Sequence, residues 1–279
     1  MELTHADVLN MLPDRNPMAH KGNFGKILLL CGSRGYTGAA ALAAMGALRS
    51  GAGLVYLGVP ESIYAIEAVK LNEPVVFPLP EEKGMLSVEA LDRITEMLPQ
   101  MDAVLMGCGM GCSKDTFAVV ETVLKSYSGP VVLDADGINV LSGHINVLRG
   151  RTGTTVVTPH VVEFQRLGGV LTENRLESAK SFAKQSNVIV LLKGHDTVIT
   201  DGNRTYINPT GNPGMAVGGS GDVLAGMITA LIGQGIAPLE AAACGAWLHG
   251  ATGDICAKEK GQYGMIPSDM LEVLPRLLK

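Results

Sequence analysis

Six continuously apolar runs constrain this chain's fold more than any other feature: KILLLCG at 26–32, LVYLGV at 54–59, AVLMG at 103–107, PVVLDAD at 130–136, TTVVTP at 154–159 and VIVLLKG at 188–194. A strand with one wet face alternates apolar and polar residues. Unbroken hydrophobicity marks strands buried on both faces, as in a parallel sheet covered by helices. The intervening segments supply those helices. Residues 38–49 (GAAALAAMGALR) are small enough for close helix-to-sheet approach, and 87–98 and 173–185 carry an amphipathic period. After Gly194 the pattern changes. DTVIT and RTYIN flank DGN at 201–203, which predicts an antiparallel hairpin. The densest glycine segment, NPTGNPGMAVGGSGD at 208–222, then feeds a helix expected from about Asp222 toward Gly233.

These elements predict a layered α/β protein, and residues 1–20 are expected to form a short helix and an irregular lead-in. No repeat or low-complexity linker interrupts the order, so residues 1–279 read as one domain. A hydrophobic content of 47% over 279 residues suffices for one large core, and 35 glycines with a single Trp favour tight strand-to-helix turns. The net charge is −5, without a Lys/Arg cluster to track a phosphate backbone, which argues against nucleic acid as a partner. The most apolar windows, such as 223–233, are shorter than the roughly 20 residues a membrane span needs. MELTHADV at the N-terminus lacks the basic start and apolar centre of a secretory signal, so a cytoplasmic location is expected. Five cysteines, at 31, 108, 112, 244 and 256, sit mostly in apolar stretches and read as reduced core residues. Cys108 and Cys112 lack a second pair for zinc.

Four segments carry candidate chemistry. In GGSGD at 218–222, small residues let backbone N–H groups converge on a phosphate oxygen and the following helix start reinforces the contact, so Gly218, Gly219, Ser220 and Gly221 form a candidate anion cradle beside Asp222. A Gly-rich turn with Asp as helix cap fits the same residues. An Asp at a helix start is favoured as the anion, a weak base at equilibrium but a competent proton acceptor in phosphoryl transfer. No GxxxxGK[ST] is present, which argues against a P-loop. TPHVVEFQRL at 158–167 puts His160 and Glu163 at a strand end, where Glu163 could hold hydrated Mg²⁺ or both could simply decorate a helix start. LKGHDT at 192–197 offers Lys193 to a phosphate, or an ordinary β-turn with a solvated lysine. DADGIN at 134–139 adds two carboxylates as supporting residues. KGNFGKILLLCGSRGYTGAA at 21–40 contains GxxGxxG rather than GxGxxG, which disfavours a redox dinucleotide fold.

Taken in order, HKGNFG, GSRGYTGAA, RSGAGLV, GCGMG, DADGIN, TPHVVEFQRL, LKGHDTVI and NPGMAVGGSGDVLAG resemble the ADP- or ATP-dependent NAD(P)H-hydrate dehydratases over residues 20–253. The resemblance implies a ribokinase-like three-layer α/β/α fold, with a mostly parallel sheet and a short antiparallel extension. It implies binding of hydrated NADH or NADPH by Ala39, Gly109, His160 and Asp222, and of ADP, ATP or AMP by Lys193, Gly194, His195, Asp196, Thr197 and Gly221. Asp222 would assist attack of the hydrate hydroxyl on the terminal phosphate, and Mg²⁺ would accompany the nucleotide. The resemblance also implies a homotetramer, a preference for ADP as in stand-alone bacterial members, and a separate epimerase as functional partner, since residues 1–20 leave no room for a fused one. Six residues depart from the family pattern. Cys108 and Met110 replace Pro and Leu, Val161 and Val162 replace Pro-Gly, and Val217 and Ser220 stand where Thr is familiar. A kinase for a vitamin precursor or sugar alcohol would use the same Asp and anion loop, and a non-catalytic nucleotide-binding regulator would keep the cleft without turnover.

Overall fold

The fold is that of a computed structural model, described for residues 1–278. Helix α1 (His5–Met11) precedes β1 (Lys26–Leu30), α2 (Thr37–Arg49), β2 (Leu54–Pro60), α3 (Glu61–Lys70) and β3 (Val75–Leu79). A small hairpin, β4 (Glu81–Glu82) and β5 (Met85–Leu86), leads to α4 (Leu91–Met97), β6 (Ala103–Met106), α5 (Lys114–Ser126) and β7 (Val131–Leu133). Then come α6 (Ala135–Asn139), α7 (Asn146–Arg149), β8 (Thr155–Val157), α8 (Val161–Arg166), α9 (Arg175–Ser186) and β9 (Ile189–Leu192). Strands β10 (Thr197–Thr200) and β11 (Thr205–Asn208) and helices α10 (Ser220–Gly233), α11 (Pro238–Lys260) and α12 (Pro267–Val273) complete the chain.

Among the described residues the main sheet has the order β11-β10-β9-β8-β7-β6-β1-β2-β3. Every pair from β3 to β9 is parallel, and β10 and β11 add the antiparallel hairpin at one edge. The apolar runs are buried on both faces for the reason their unbroken character suggests. Ile27, Leu29 and Leu105 pack toward α2, α10 and α11, while Leu28, Leu30 and Val104 pack toward α4, α5 and α9. The result is three layers. On the first face, α2 lies against α10 at Gly46 and Gly226, where a Cβ would strike the backbone of Val223 and Ala43. The Ala- and Gly-rich sequence of α2 therefore brings α10, and the glycines that precede it, close over the sheet.

Three elements differ from the sequence-based expectation. VVFPL at 75–79 forms edge strand β3, where Pro78 is tolerated because one side of an edge needs no ladder hydrogen bond. The predicted helix over 87–98 breaks into a 3₁₀ turn at Val88–Ala90, α4, and a second turn at Leu98–Gln100 containing Pro99. Helix α11 was not anticipated. Apolar residues from Leu239 to Cys256 are buried around much of its circumference, which removes the one-sided period that reveals a surface helix. No helix of the described residues is long and apolar enough to cross a membrane.

Candidate active site

The short strands stop early and leave polar residues at their C-terminal ends, where parallel sheets bind ligands. Asp134 follows β7 and is buried. Its Oδ1 accepts hydrogen bonds from Lys193 Nζ after β9 and from Thr158 Oγ1 after β8, both at 2.7 Å. Burial alone would pull the Lys193 ammonium down, but Asp134 and then Glu163 outweigh it and move its pKa upward, so the lysine stays a cation. Asp222, in the first turn of α10, completes the group. One carboxylate oxygen each from Asp134 and Asp222 and the Cys108 sulfur lie within 4.8 Å of one another.

This arrangement reverses one expectation. A helix start favours the Asp222 anion, but burial and then repulsion from Asp134 raise its pKa to about 6, against the opposing pull of the Cys108 thiol and Lys193. Asp222 is therefore a better proton acceptor than an ordinary carboxylate, and still ionised at neutral pH. Cys108 itself is a buried thiol whose pKa is raised, first by its hydrogen bond with Cys31 and then by burial, and it stays protonated.

The glycines before α10 stand where the anion cradle is expected. Gly218 faces open space, and Gly219 adopts φ 97° at the N-cap, a left-handed conformation in which a Cβ would also meet Leu42. Ser220 starts the helix with its Oγ 3.4 Å from Nε2 of His249, a buried histidine on α11 whose pKa burial pushes down to about 4. A Cβ on Gly221 would lie 3.3 Å from Lys193 Nζ and 3.5 Å from Asp134 Oδ2. The backbone at Gly221 thus joins the cradle to the buried ion pair.

From this junction a cleft of about 750 Å³ opens between the loop after β9 and the segment after β11. His160, Lys193, Gly194, His195, Asp196, Thr197, Ser220 and Gly221 all line it. Lys193 leads a turn, closed by the Thr197 hydroxyl donating to Gly194 O at 2.8 Å, but it is not the solvated lysine of an ordinary turn, because its ammonium is held by Asp134. Ala39 and Gly109 are not among the cleft's lining residues and meet each other instead: at φ 60°, a Cβ on Gly109 would stand 2.8 Å from the Ala39 methyl. The loop carrying Gly109 is held by Gly32 N donating to Cys108 O (2.8 Å), Ser33 Oγ donating to Gly109 O (2.8 Å) and Gly111 N donating to Asp136 Oδ2 (2.8 Å). The buried Cys108 and Met110 are accommodated in it, with Gly107, Gly109 and Gly111 all at positive φ.

His160 caps α8, as the helix-start reading expects. Its Nδ1 accepts from Val162 N (3.1 Å) and Glu163 N (3.3 Å), while Glu163 Oε2 accepts from His160 N at 2.9 Å. The other Glu163 oxygen lies 3.3 Å from His160 Nε2, so both oxygens of this buried carboxylate face the histidine. Thr158 and His249 escaped the sequence reading. Thr158 sits inside the TPH segment that drew attention for its histidine, and His249 lies within the unanticipated α11.

A profile of the NAD(P)H-hydrate dehydratase family matches residues 27–276. The chain belongs to this family. It is 45% identical, over 99% of its length, to the bifunctional NAD(P)H-hydrate repair enzyme of Moorella thermoacetica and covers 53% of that protein. The chain thus spans about half the length of the curated relatives it matches. Among solved structures, it is 31% identical with a TM-score of 0.85 to the ADP/ATP-dependent NAD(P)H-hydrate dehydratase of Bacillus subtilis, co-crystallised with ATP and Mg²⁺, covering 98% of this chain and 96% of that one. A ribokinase-like superfamily protein from Enterococcus faecalis matches with a TM-score of 0.87 at 27% identity, over 99% of this chain and 94% of that one. The fold is therefore ribokinase-like, and the ordered motifs belong to an NAD(P)H-hydrate dehydratase family member.

The donor set of this family member suits a magnesium ion only sparingly. Asp134 already serves Lys193 and Thr158, Glu163 serves His160, and a protonated thiol is a poor partner for a hard cation. That leaves the Asp222 side of the cluster and the phosphates of a bound nucleotide. Mg²⁺ characteristically accepts one or two carboxylates plus substrate phosphates.

Proposed function

We propose that this chain dehydrates the S form of hydrated NADH or NADPH, driven by ADP or ATP, and so restores the reduced nicotinamide nucleotide. The observation that carries this reading is Asp222 itself: a carboxylate raised to about 6, set between a glycine anion cradle and a fixed Lys193 cation, at the junction of a nucleotide-sized cleft and the Ala39–Gly109 surface. The nucleotide lies along Lys193–Thr197 with its terminal phosphate over Gly218–Gly221. The hydrate lies on the Ala39, Gly109 and His160 side.

Asp222 accepts the hydroxyl proton as that oxygen attacks the terminal phosphorus, and the bond to the bridging oxygen breaks, releasing AMP from ADP or ADP from ATP. Lys193 and the helix-start N–H groups hold the charge of the transferred group. The new phosphate ester is a far better leaving group than hydroxide. Expelled by the ring nitrogen's electron pair, it departs as inorganic phosphate, and loss of a ring proton restores the double bond. Mg²⁺ would supply charge neutralisation on the nucleotide phosphates, on the Asp222 side of the cluster. A homotetramer in the cytoplasm, working alongside an epimerase for the hydrate, belongs to the same proposal.

The test is recovery of near-ultraviolet nicotinamide absorbance from purified hydrated NADPH, with Mg²⁺ and either ADP or ATP, measured alongside phosphate release. Equal amounts of recovered nucleotide and released phosphate are expected. A stable phosphorylated product without recovery would make the protein a small-molecule kinase instead.

A further inference from the structure

Arg175 opens α9, directly after the N-cap Asn174. A cation at this end of a helix opposes the helix field, so the position is electrostatically unfavourable for the helix alone. No carboxylate pairs with it among the described residues. Its guanidinium instead donates to three backbone carbonyls of a single neighbouring segment: Nη1 to His195 O at 2.9 Å, and Nη2 to Lys193 O at 3.0 Å and Leu192 O at 3.4 Å. Its Nε is buried without a partner. Gly194, between the gripped residues, has φ 152°, and a Cβ there would stand 2.6 Å from Nη2, so only glycine lets the guanidinium seat.

The gripped segment is the wall of the nucleotide cleft. A second hollow of about 620 Å³, with Arg175, His195 and Asp196 in its lining, adjoins the same loop. Gly194, His195 and Asp196 are exposed. We infer that Arg175 is a positioning residue for the nucleotide: its fork fixes the backbone of Leu192–His195 so that Lys193 and the following turn meet the phosphates in one geometry. The inference rests on the proposed nucleotide site. It assigns the loop's order to a side chain that touches neither substrate.

The planar guanidinium reaches three carbonyls at once, which a single ammonium cannot do, and this sets the test. In R175Q and R175K, the KM and Kd for ADP and ATP should rise roughly tenfold or more, while KM for hydrated NADPH stays put and kcat at saturating nucleotide changes far less. Thermal melting of each variant separates this split from loss of fold, and R175K carries the test if R175Q does not fold. Nucleotide binding by R175K equal to wild type would overturn the inference. Wild-type protein that binds neither ADP nor ATP would instead overturn the site reading beneath it.

Discussion

The buried floor of the site and its exposed rim are built on opposite principles. On the floor, Asp134 accepts from Thr158 and Lys193 at 2.7 Å each, and Asp222 borders this largely buried cluster. At the rim, Gly194, His195, Asp196, Val217 and Gly218 stand in solvent and rely on backbone shape. The difference teaches where each kind of energy resides. Charges are strong, and costly to disturb, only on the floor, while the rim can be altered at the cost of binding geometry alone.

That contrast can be broken in graded steps. Asp222→Asn should lower turnover roughly a thousandfold, within the range for removing a positioned general base, while nucleotide binding by calorimetry persists. Unchanged turnover would remove Asp222 from the reaction. Asp134→Asn leaves the Lys193 ammonium without its carboxylate, and because Lys193 is 23% exposed the stability cost should be about 2–3 kcal/mol, at the lower edge for a broken buried pair. Denaturant unfolding measures it. The same variant sharpens the electrostatic account: Asp134 helps raise Asp222, so removing it should move the acid limb of the pH–rate profile to lower pH. Gly221→Ala should leave melting nearly unchanged, since the residue is helical, yet raise nucleotide KM by about tenfold because the methyl crowds Lys193 Nζ at 3.3 Å. His195→Ala, whose side chain is 94% exposed, should change KM less than about threefold. A rim effect larger than that of Gly221→Ala would invert the comparison.

The layers were legible in the sequence because parallel strands buried on both faces print as continuous apolar runs, and the 197–208 hairpin was legible through its DGN turn. Edge strand β3 was hidden by Pro78, and α11 by burial around its circumference. In the site, glycines at a helix start and a lysine at a strand end mark residues 218–221 and Lys193 as candidates. The partnership of Lys193 with Asp134, 59 residues away, carries no local signal, and neither does the Ser220–His249 contact. The upward shift of Asp222 is likewise a product of burial and of a carboxylate from another strand. Local helix-end reasoning points the opposite way.

The proton acceptor is the heart of the account, and kcat/KM against pH, at low concentrations of both substrates, tests it most directly because that profile reports the free protein. Asp222 must be ionised to act, so a pKa raised to about 6 predicts activity that is full near pH 7.5 and falls roughly tenfold per unit below pH 6. A flat profile down to pH 5, or an acid limb at the ordinary carboxylate position near 4, would contradict the assignment of the buried carboxylate as the base.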